Sequence, residues 1–334
     1  MGRKKEETQE EVKPEKLDIS KLLESTRKSF PEALITTGDD PELKVKTIPS
    51  GIWLLDNALK GGFRRGCLNE VTGEFGTGKT WLILHTMKQA QLSGFSCGLL
   101  DTEKRFDPEW ARDKLGIDLK DILIVKNIRG TPAFKLMLQW IDAGIDLIGV
   151  DSITHLIPDE FANSDDFNPT MGVKARLMSD GLDRLVYRNR NTCILAANQL
   201  RADIGNRFNR GIMKKMTGGA AQYFDAASII EIRRRGWIKD SGEATEDDGE
   251  SDKKSYNKIG FVMDCIITKV NYAPSIQTTV KINYNIKTSE VDNILSVVDL
   301  AFDKKIISKA GPYFNYEGEN ILGKQGIRDF FQNN

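Results

Sequence analysis

The sequence predicts an α/β fold, a mainly parallel sheet with helices on both faces, and two observations carry that expectation. Short apolar runs that end in polar residues alternate with amphipathic stretches of helical period. Strands that are apolar throughout are those buried on both faces of a parallel sheet. The first strand and helix of the series are joined by Gly73-Glu74-Phe75-Gly76-Thr77-Gly78-Lys79-Thr80. Its G-x-x-x-x-G-K-T spacing is that of a phosphate-binding loop.

Each element has its own signal. Residues 1–17 are polar and rich in Lys and Glu, and are expected to form a disordered tail. After Asp18, a fitting N-cap, Ile19, Leu22, Leu23 and Phe30 recur at roughly helical spacing. A helix this short cannot bury its apolar face alone and needs a partner surface, on its own core or on a neighbouring subunit. Pro31 ends it, 33–37 reads as a short strand, and the segment up to 47 reads as a tether. Strands are then expected at 67–71, 97–101, 122–126, 147–151 and 192–198. Helices are expected at 81–92, 108–115, 132–143 and 173–189. Strands at 228–233 and 260–270 flank an acidic, glycine-punctuated stretch, and 236–258 is read as a mobile insertion at a hairpin tip. A further strand at 277–284 closes a core spanning 48–285. A helix at 291–302, an aromatic turn and a last helical segment make 286–334 a small C-terminal α+β domain.

Composition bounds the function. The 334 residues, 40% hydrophobic and 29% charged, suffice for one large core with small appendages. The net charge is zero, so a nucleic-acid partner has to be held by a local patch. No run of about 18 apolar residues is present, which argues against a membrane span. The N-terminus lacks an apolar leader, and a cytoplasmic protein is expected, in a bacterium or, for a viral member, in its host. Cys67, Cys97, Cys193 and Cys265 stand singly, and His85 and His155 have no ligand-spaced neighbours, so no zinc site is expected.

The chemistry-bearing residues fall where a parallel sheet places ligands, at the carboxyl ends of the strands. The loop glycines turn the backbone so that several N–H groups face one anion, at the positive end of the following helix. Lys79 is expected to reach the β- and γ-phosphates and Thr80 to ligate Mg²⁺. Asp151 ends an apolar strand, as a carboxylate that holds Mg²⁺ does. Glu103, two residues past the strand end at Asp101, is the candidate base for hydrolysis. Gln199 fits both a sensor of the γ-phosphate and an ordinary strand end.

Taken together, these blocks resemble the RecA family of DNA recombinases over roughly residues 18–334. The matching segments are Ile48-Pro-Ser-Gly-Ile-Trp-Leu-Leu-Asp-Asn-Ala-Leu, the phosphate loop, Leu100-Asp-Thr-Glu103-Lys-Arg-Phe-Asp107-Pro108, Val150-Asp151-Ser152, Met171-Gly172-Val-Lys-Ala-Arg176-Leu-Met-Ser179, Asn198-Gln199-Leu-Arg201 and Thr217-Gly218-Gly219. The resemblance implies ATP and Mg²⁺ as cofactors. Glu103 would then activate water, Thr80 and Asp151 hold the metal, and Gln199 relay nucleotide state. Asp107 would bond the adenine edge and Trp110 stack on it, unless Trp110 is simply a packed helix residue.

The resemblance also implies two DNA-facing loops, about 156–171 and 200–219, with contacts from Met171, Gly172, Arg176, Ser179, Arg201, Ile204, Arg207, Phe208, Arg210, Lys214, Lys215, Thr217, Gly218 and Gly219. Cations for phosphates, with apolar groups between unstacked bases, suit single-stranded DNA. Phe224 and Lys269 stand at or near positions the family uses between subunits, and 18–47 becomes the oligomerisation helix and tether. The expected partners are single-stranded DNA, a homologous duplex, further copies of the chain in a head-to-tail helical filament, and loader or single-strand-binding proteins, with no membrane. The chain departs from the family at Ala220, at Asp183 with Arg184 beside it, in the register of Lys269 and in the acidic 159–166 segment. The implied function is an ATP-dependent recombinase that catalyses homologous pairing and strand exchange. A ring-forming ATPase or helicase on the same core, or an ATP-gated DNA-binding mediator without turnover, are the rival readings.

Overall fold

The computed structural model describes residues 17–156, 158, 172–202, 214–216, 220–239, 244–246, 258–272 and 278–333. The chain divides into two compact units, Met1–Lys44 and Val45–Asn334. The expected tail falls outside the described residues of the first unit, apart from Leu17.

In the first unit, helix α1 (Ile19–Ser29) starts where Asp18 Oδ1 accepts the amides of Ser20 (3.1 Å) and Lys21 (3.3 Å). None of its residues is buried, and Ile19, Leu22 and the following Phe30 are exposed. The strand expected over 33–37 does not form. Among the described residues no strand pairs with it, and the Ile35 carbonyl instead accepts from Arg27 Nε at 2.7 Å. A short apolar run is a strand only where a partner supplies the ladder.

The second unit begins with β1 (Thr47–Ile48), α2 (Trp53–Ala58) and β2 (Phe63–Arg64). The central series is β3 (Cys67–Gly73), α3 (Lys79–Leu92), β4 (Cys97–Asp101), α4 (Pro108–Trp110) running into a π-turn at Ala111–Leu115, β5 (Ile122–Lys126), α5 (Gly130–Ala143), β6 (Leu147–Asp151), α6 (Val173–Arg188) and β7 (Cys193–Ala202). Then come β8 (Lys214–Met216), α7 (Ala220–Asp225), β9 (Ala226–Lys239), β10 (Ala244–Glu246), β11 (Lys258–Val270), β12 (Thr278–Asn285) and β13 (Glu290–Val291). The main sheet runs β5-β4-β6-β7-β3-β9-β11-β12-β13. From β5 to β9 neighbours are parallel, and beyond β9 they are antiparallel.

Alternation along the parallel strands builds two cores. Val71, Leu99, Leu147 and Leu195 face α3, with Ile52, Leu55 and Leu59 in the same core, whereas Leu68, Leu100, Ile148 and Ile194 face α5 and α6. Helix α3 is enclosed almost all round, burying Trp81 through Met87 and Ala90, the polar His85 and Thr86 included. Helix α6 buries only Met178, Gly181, Leu182 and Leu185, one stripe of a surface helix. Two strand glycines explain themselves by close approach. A Cβ on Gly149 would lie 2.5 Å from Met87 Cε of α3, and one on Gly98 would lie 2.6 Å from the Trp140 ring of α5.

Two strands reach further than the sequence pattern suggests. β7 continues through Gln199 to Ala202, because β8 pairs with it antiparallel, Arg201 opposite Lys215. β9 and β11 extend to Lys239 and Lys258, so they take up both ends of the expected insertion, and β10 lies beside β9. Residues 240–243 and 247–257 of that insertion lie outside the described residues. The C-terminal segment holds α8 (Asn293–Asp303), an antiparallel sheet of β14 (Ser308–Ala310), β15 (Tyr313–Tyr316) and β16 (Glu319–Leu322), and α9 (Gly323–Asn333). It has its own small core of Val298, Ile307, Phe314 and Ile327. No described helix is long and apolar enough to cross a membrane.

Candidate active site

Sheet register sets the site. Gly73 at the end of β3 pairs with Gln199 of β7, and Asp101 at the end of β4 pairs with Asp151 of β6. Val150 of β6 pairs with Ala196 of β7, so Asp101 and Asp151 lie two residues short of the Gly73–Gln199 pair, and the loop leaving β3 stands beside them. Gly78 takes φ +106° as the residue before α3, a conformation open to glycine at little cost. Helix α3 has no acidic residue in its first turn, leaving its N-terminal amides and positive dipole end to an anion. Lys79 Nζ donates to the carbonyls of Gly73 (2.9 Å) and Glu74 (2.6 Å), which hold the cation over the loop. Burial pulls the Lys79 pKa down, while Asp151 and Glu103 oppose that.

A cleft of about 290 Å³ gathers Phe75, Gly76, Thr77, Gly78, Lys79, Thr80, Trp81, Glu103, Arg105, Trp110, Asp151 and Gln199. Glu74 lines the neighbouring hollow with Glu231, Arg233 and Arg234. Thr80 Oγ1 donates to Asp151 Oδ2 at 2.6 Å. Burial pushes the Asp151 carboxyl up, Thr80 pulls it back, and Glu103 and Asp101 add to the rise. A hydroxyl and one buried carboxylate are hard oxygen donors, and they fit Mg²⁺, whose shell phosphates and waters complete. Among the described residues no group of three or more His, Cys, Asp or Glu side chains is disposed as a metal cage.

Glu103 is held on every side. Its amide and that of Thr102 donate to Asp151 O (3.1 and 2.9 Å). Its carboxylate, only 7% exposed, meets Arg105 Nη1 at 3.1 Å through Oε2. Oε1 accepts from Ser152 Oγ at 2.6 Å and from Gln199 Nε2 at 3.2 Å, and His155 Nδ1 lies 3.1 Å from it. The turn that carries Glu103 is pinned by Asp101, whose carboxylate accepts the amides of Arg105 and Phe106, both at 3.0 Å. The Asp151–Ser152 peptide is cis.

Other expected residues are placed as follows. Asp107 caps α4, its Oδ1 accepting the amides of Glu109 (2.9 Å) and Trp110 (3.1 Å), and it does not line the cleft. Trp110 is half-buried against the core and also reaches the cleft. Gly172 precedes α6 with φ +114°, Ser179 is half-buried, and exposed Arg176 faces Asp180 at 3.8 Å. Arg201, Lys214 and Lys215 belong to the β7–β8 hairpin. Met171, Ile204, Arg207, Phe208, Arg210, Thr217, Gly218 and Gly219 lie outside the described residues. Phe224 is 73% exposed. Lys269, expected between subunits, donates through Nζ to the carbonyls of Tyr223 and, at 3.0 Å, Phe224 at the end of α7 in its own chain. Sequence reasoning passed over Arg105, Ser152, Thr154 and His155. All four sit inside or beside the blocks that carried the resemblance, but their residue types alone do not announce a role.

With this geometry in hand, comparison with known proteins is decisive. The RecA N-terminal domain family matches residues 17–277. The chain belongs to the RecA family. It is 34% identical to Protein RecA of Chloroherpeton thalassium over 331 residues, covering 97% of this chain and 87% of that protein. It is 32% identical to Protein RecA of Chlorobaculum parvum, covering 97% and 92%. Protein RecA 1 of Myxococcus xanthus is 34% identical over 310 residues, covering 91% and 85%. Membership of the RecA family makes the chain a nucleotide-binding ATPase and a recombinase of recombination and repair.

Proposed function

We propose that this RecA-family recombinase hydrolyses ATP in a DNA-dependent manner, assembles head to tail on single-stranded DNA, and uses that filament to pair it with a homologous duplex. The observation that carries the reading is the Gln199–Glu103 hydrogen bond of 3.2 Å. It joins the candidate base to the strand that runs on into the β7–β8 hairpin.

The loop amides and the α3 terminus bind the phosphates, and Lys79 exchanges its two carbonyl partners for phosphate oxygens. Thr80 and Asp151 would hold Mg²⁺, which neutralises charge on the phosphates when bound. Glu103 orients a water in line with the γ-phosphate and accepts its proton. Gln199 exchanges Glu103 for the γ-phosphate and so passes nucleotide state along β7 to the basic second loop. Trp110 supports the adenine, and Asp107 keeps one carboxylate oxygen for the base edge. The apolar face of α1 and exposed Phe224 are the surfaces offered to adjacent subunits. The basic second loop suits sequence-tolerant binding of single strands, leaving sequence matching to base pairing.

The test is joint-molecule formation between single-stranded DNA and a homologous duplex, with ATP and Mg²⁺, by wild type, Lys79→Ala and Glu103→Gln. Wild type should pair homologous DNA and Lys79→Ala should not. Glu103→Gln should still bind ATP and DNA but fail to turn over. Pairing by Lys79→Ala equal to wild type would remove ATP from the mechanism.

A further inference from the structure

His155 closes the short 3₁₀ turn Ile153–His155 that follows β6. Its Nδ1 lies 3.1 Å from Glu103 Oε1 and 3.0 Å from Ser152 Oγ. The proton positions follow from the partners. Ser152 has one hydroxyl proton, and the 2.6 Å contact to Glu103 Oε1 takes it. Towards His155 the hydroxyl oxygen can then only accept. A bare Nδ1 lone pair would face a carboxylate oxygen and a hydroxyl lone pair together. An Nδ1–H donates to both, so that tautomer is the one the network selects.

We propose that His155 is a positioning residue for ATP hydrolysis, whose Nδ1–H, with the Ser152 hydroxyl, holds the Glu103 carboxylate where it activates water. This rests on Glu103 being the base. The arrangement also answers how Gln199 can serve as a switch. Three donors crowd onto Oε1, at 2.6, 3.1 and 3.2 Å, and Gln199 is the most distant. A carboxylate oxygen offers about two lone-pair sites. Gln199 can therefore leave for the γ-phosphate while Ser152 and His155 keep the carboxylate aligned. The same turn reaches both ends of the switch: Thr154 Oγ1 accepts the Gln199 amide at 3.2 Å and donates to Asn198 Oδ1 at 3.2 Å. The Lys174 ammonium of α6 donates to the Thr154 carbonyl.

His155 does not line the nucleotide cleft, and its side chain is 40% exposed, so replacing it leaves the core and the phosphate loop intact. The experiment measures steady-state ATP hydrolysis with single-stranded DNA, and binding of a fluorescent ATP analogue with Mg²⁺, for the full chain and for His155→Ala, His155→Asn and Glu103→Gln. His155→Ala should lower kcat by about 10- to 100-fold, as loss of alignment at a reacting group does. KM and the analogue's Kd should stay within about twofold, because binding groups are untouched. His155→Asn, which keeps a donor at the Nδ1 position, should recover most of kcat. An unchanged kcat in His155→Ala beside an inactive Glu103→Gln would overturn the proposal and leave Glu103 as the base. Parallel loss of kcat and nucleotide affinity, unrescued by Asn, would make His155 merely structural and also overturn it. Full turnover by Glu103→Gln would instead remove the base, and the proposal with it.

Discussion

Glu70 and His85 are buried titratable side chains that the chemistry does not use, and they pull stability in opposite directions with pH. Glu70 is inaccessible in β3, with Asn198 Nδ2 donating to Oε2 at 3.2 Å and no partner for Oε1 among the described residues. Burial raises its pKa from 4.5 to about 7. The folded protein therefore holds a proton there that the unfolded chain has released, and stability falls as pH rises across that window. His85, stacked on Trp81 in α3, is lowered by burial from 6.5 to about 4. The unfolded chain gains that proton first on acidification, so this term is lost as pH falls from 6.5 towards 4. Between pH 4.5 and 6.5 the two oppose each other. Glu70→Gln should stabilise the protein at pH 8 by on the order of 2–3 kcal/mol. Its advantage over wild type, read from urea midpoints, should shrink steadily as pH falls to 4.5. An advantage independent of pH would show that Glu70 titrates normally.

At the scale of elements, helix-to-sheet packing is close enough that single glycines set it. Gly98→Ala places a methyl 2.6 Å from the Trp140 ring and should cost about 1–3 kcal/mol as the ring shifts. Gly38→Ala meets nothing within 4 Å at an ordinary φ and should be near neutral. Equal urea midpoints for the two variants would refute the packing account.

The elements most legible in the sequence were those fixed locally or by burial on both faces: the phosphate loop, the strands ending at Asp101 and Asp151, and the Asp18 cap. What the sequence could not display was pairing with a distant partner. The 33–37 run has strand composition but no ladder among the described residues. β7 runs past Gln199 only because Lys214–Met216 comes back beside it. The hold on Glu103 was hidden for the same reason. Arg105 is near in sequence, but Ser152 and His155 lie 49 and 52 positions away and are brought in by register between β4 and β6. Asp107 is a caution in the other direction, since the carboxylate assigned to adenine also does the ordinary work of a helix cap.

For the whole molecule, the two compact units suggest separable tasks. The unit from Val45 to Asn334 contains both cores of the sheet and every described residue that lines the nucleotide cleft. Helix α1 buries none of its own residues. A chain lacking residues 1–37 should therefore melt cooperatively near the wild-type temperature and bind ATP, yet form no filaments on single-stranded DNA. Circular dichroism and negative-stain microscopy check this, and long filaments from the truncated chain would sink it. The central claim is that nucleotide turnover answers to DNA. Its most direct test is steady-state ATP hydrolysis with and without single-stranded DNA, at low and high salt, beside Lys79→Ala. The account predicts hydrolysis that appears with DNA, weakens with salt as phosphate contacts are screened, and vanishes in the variant. Hydrolysis at the same rate with and without DNA would contradict it and point to a ring ATPase on this core.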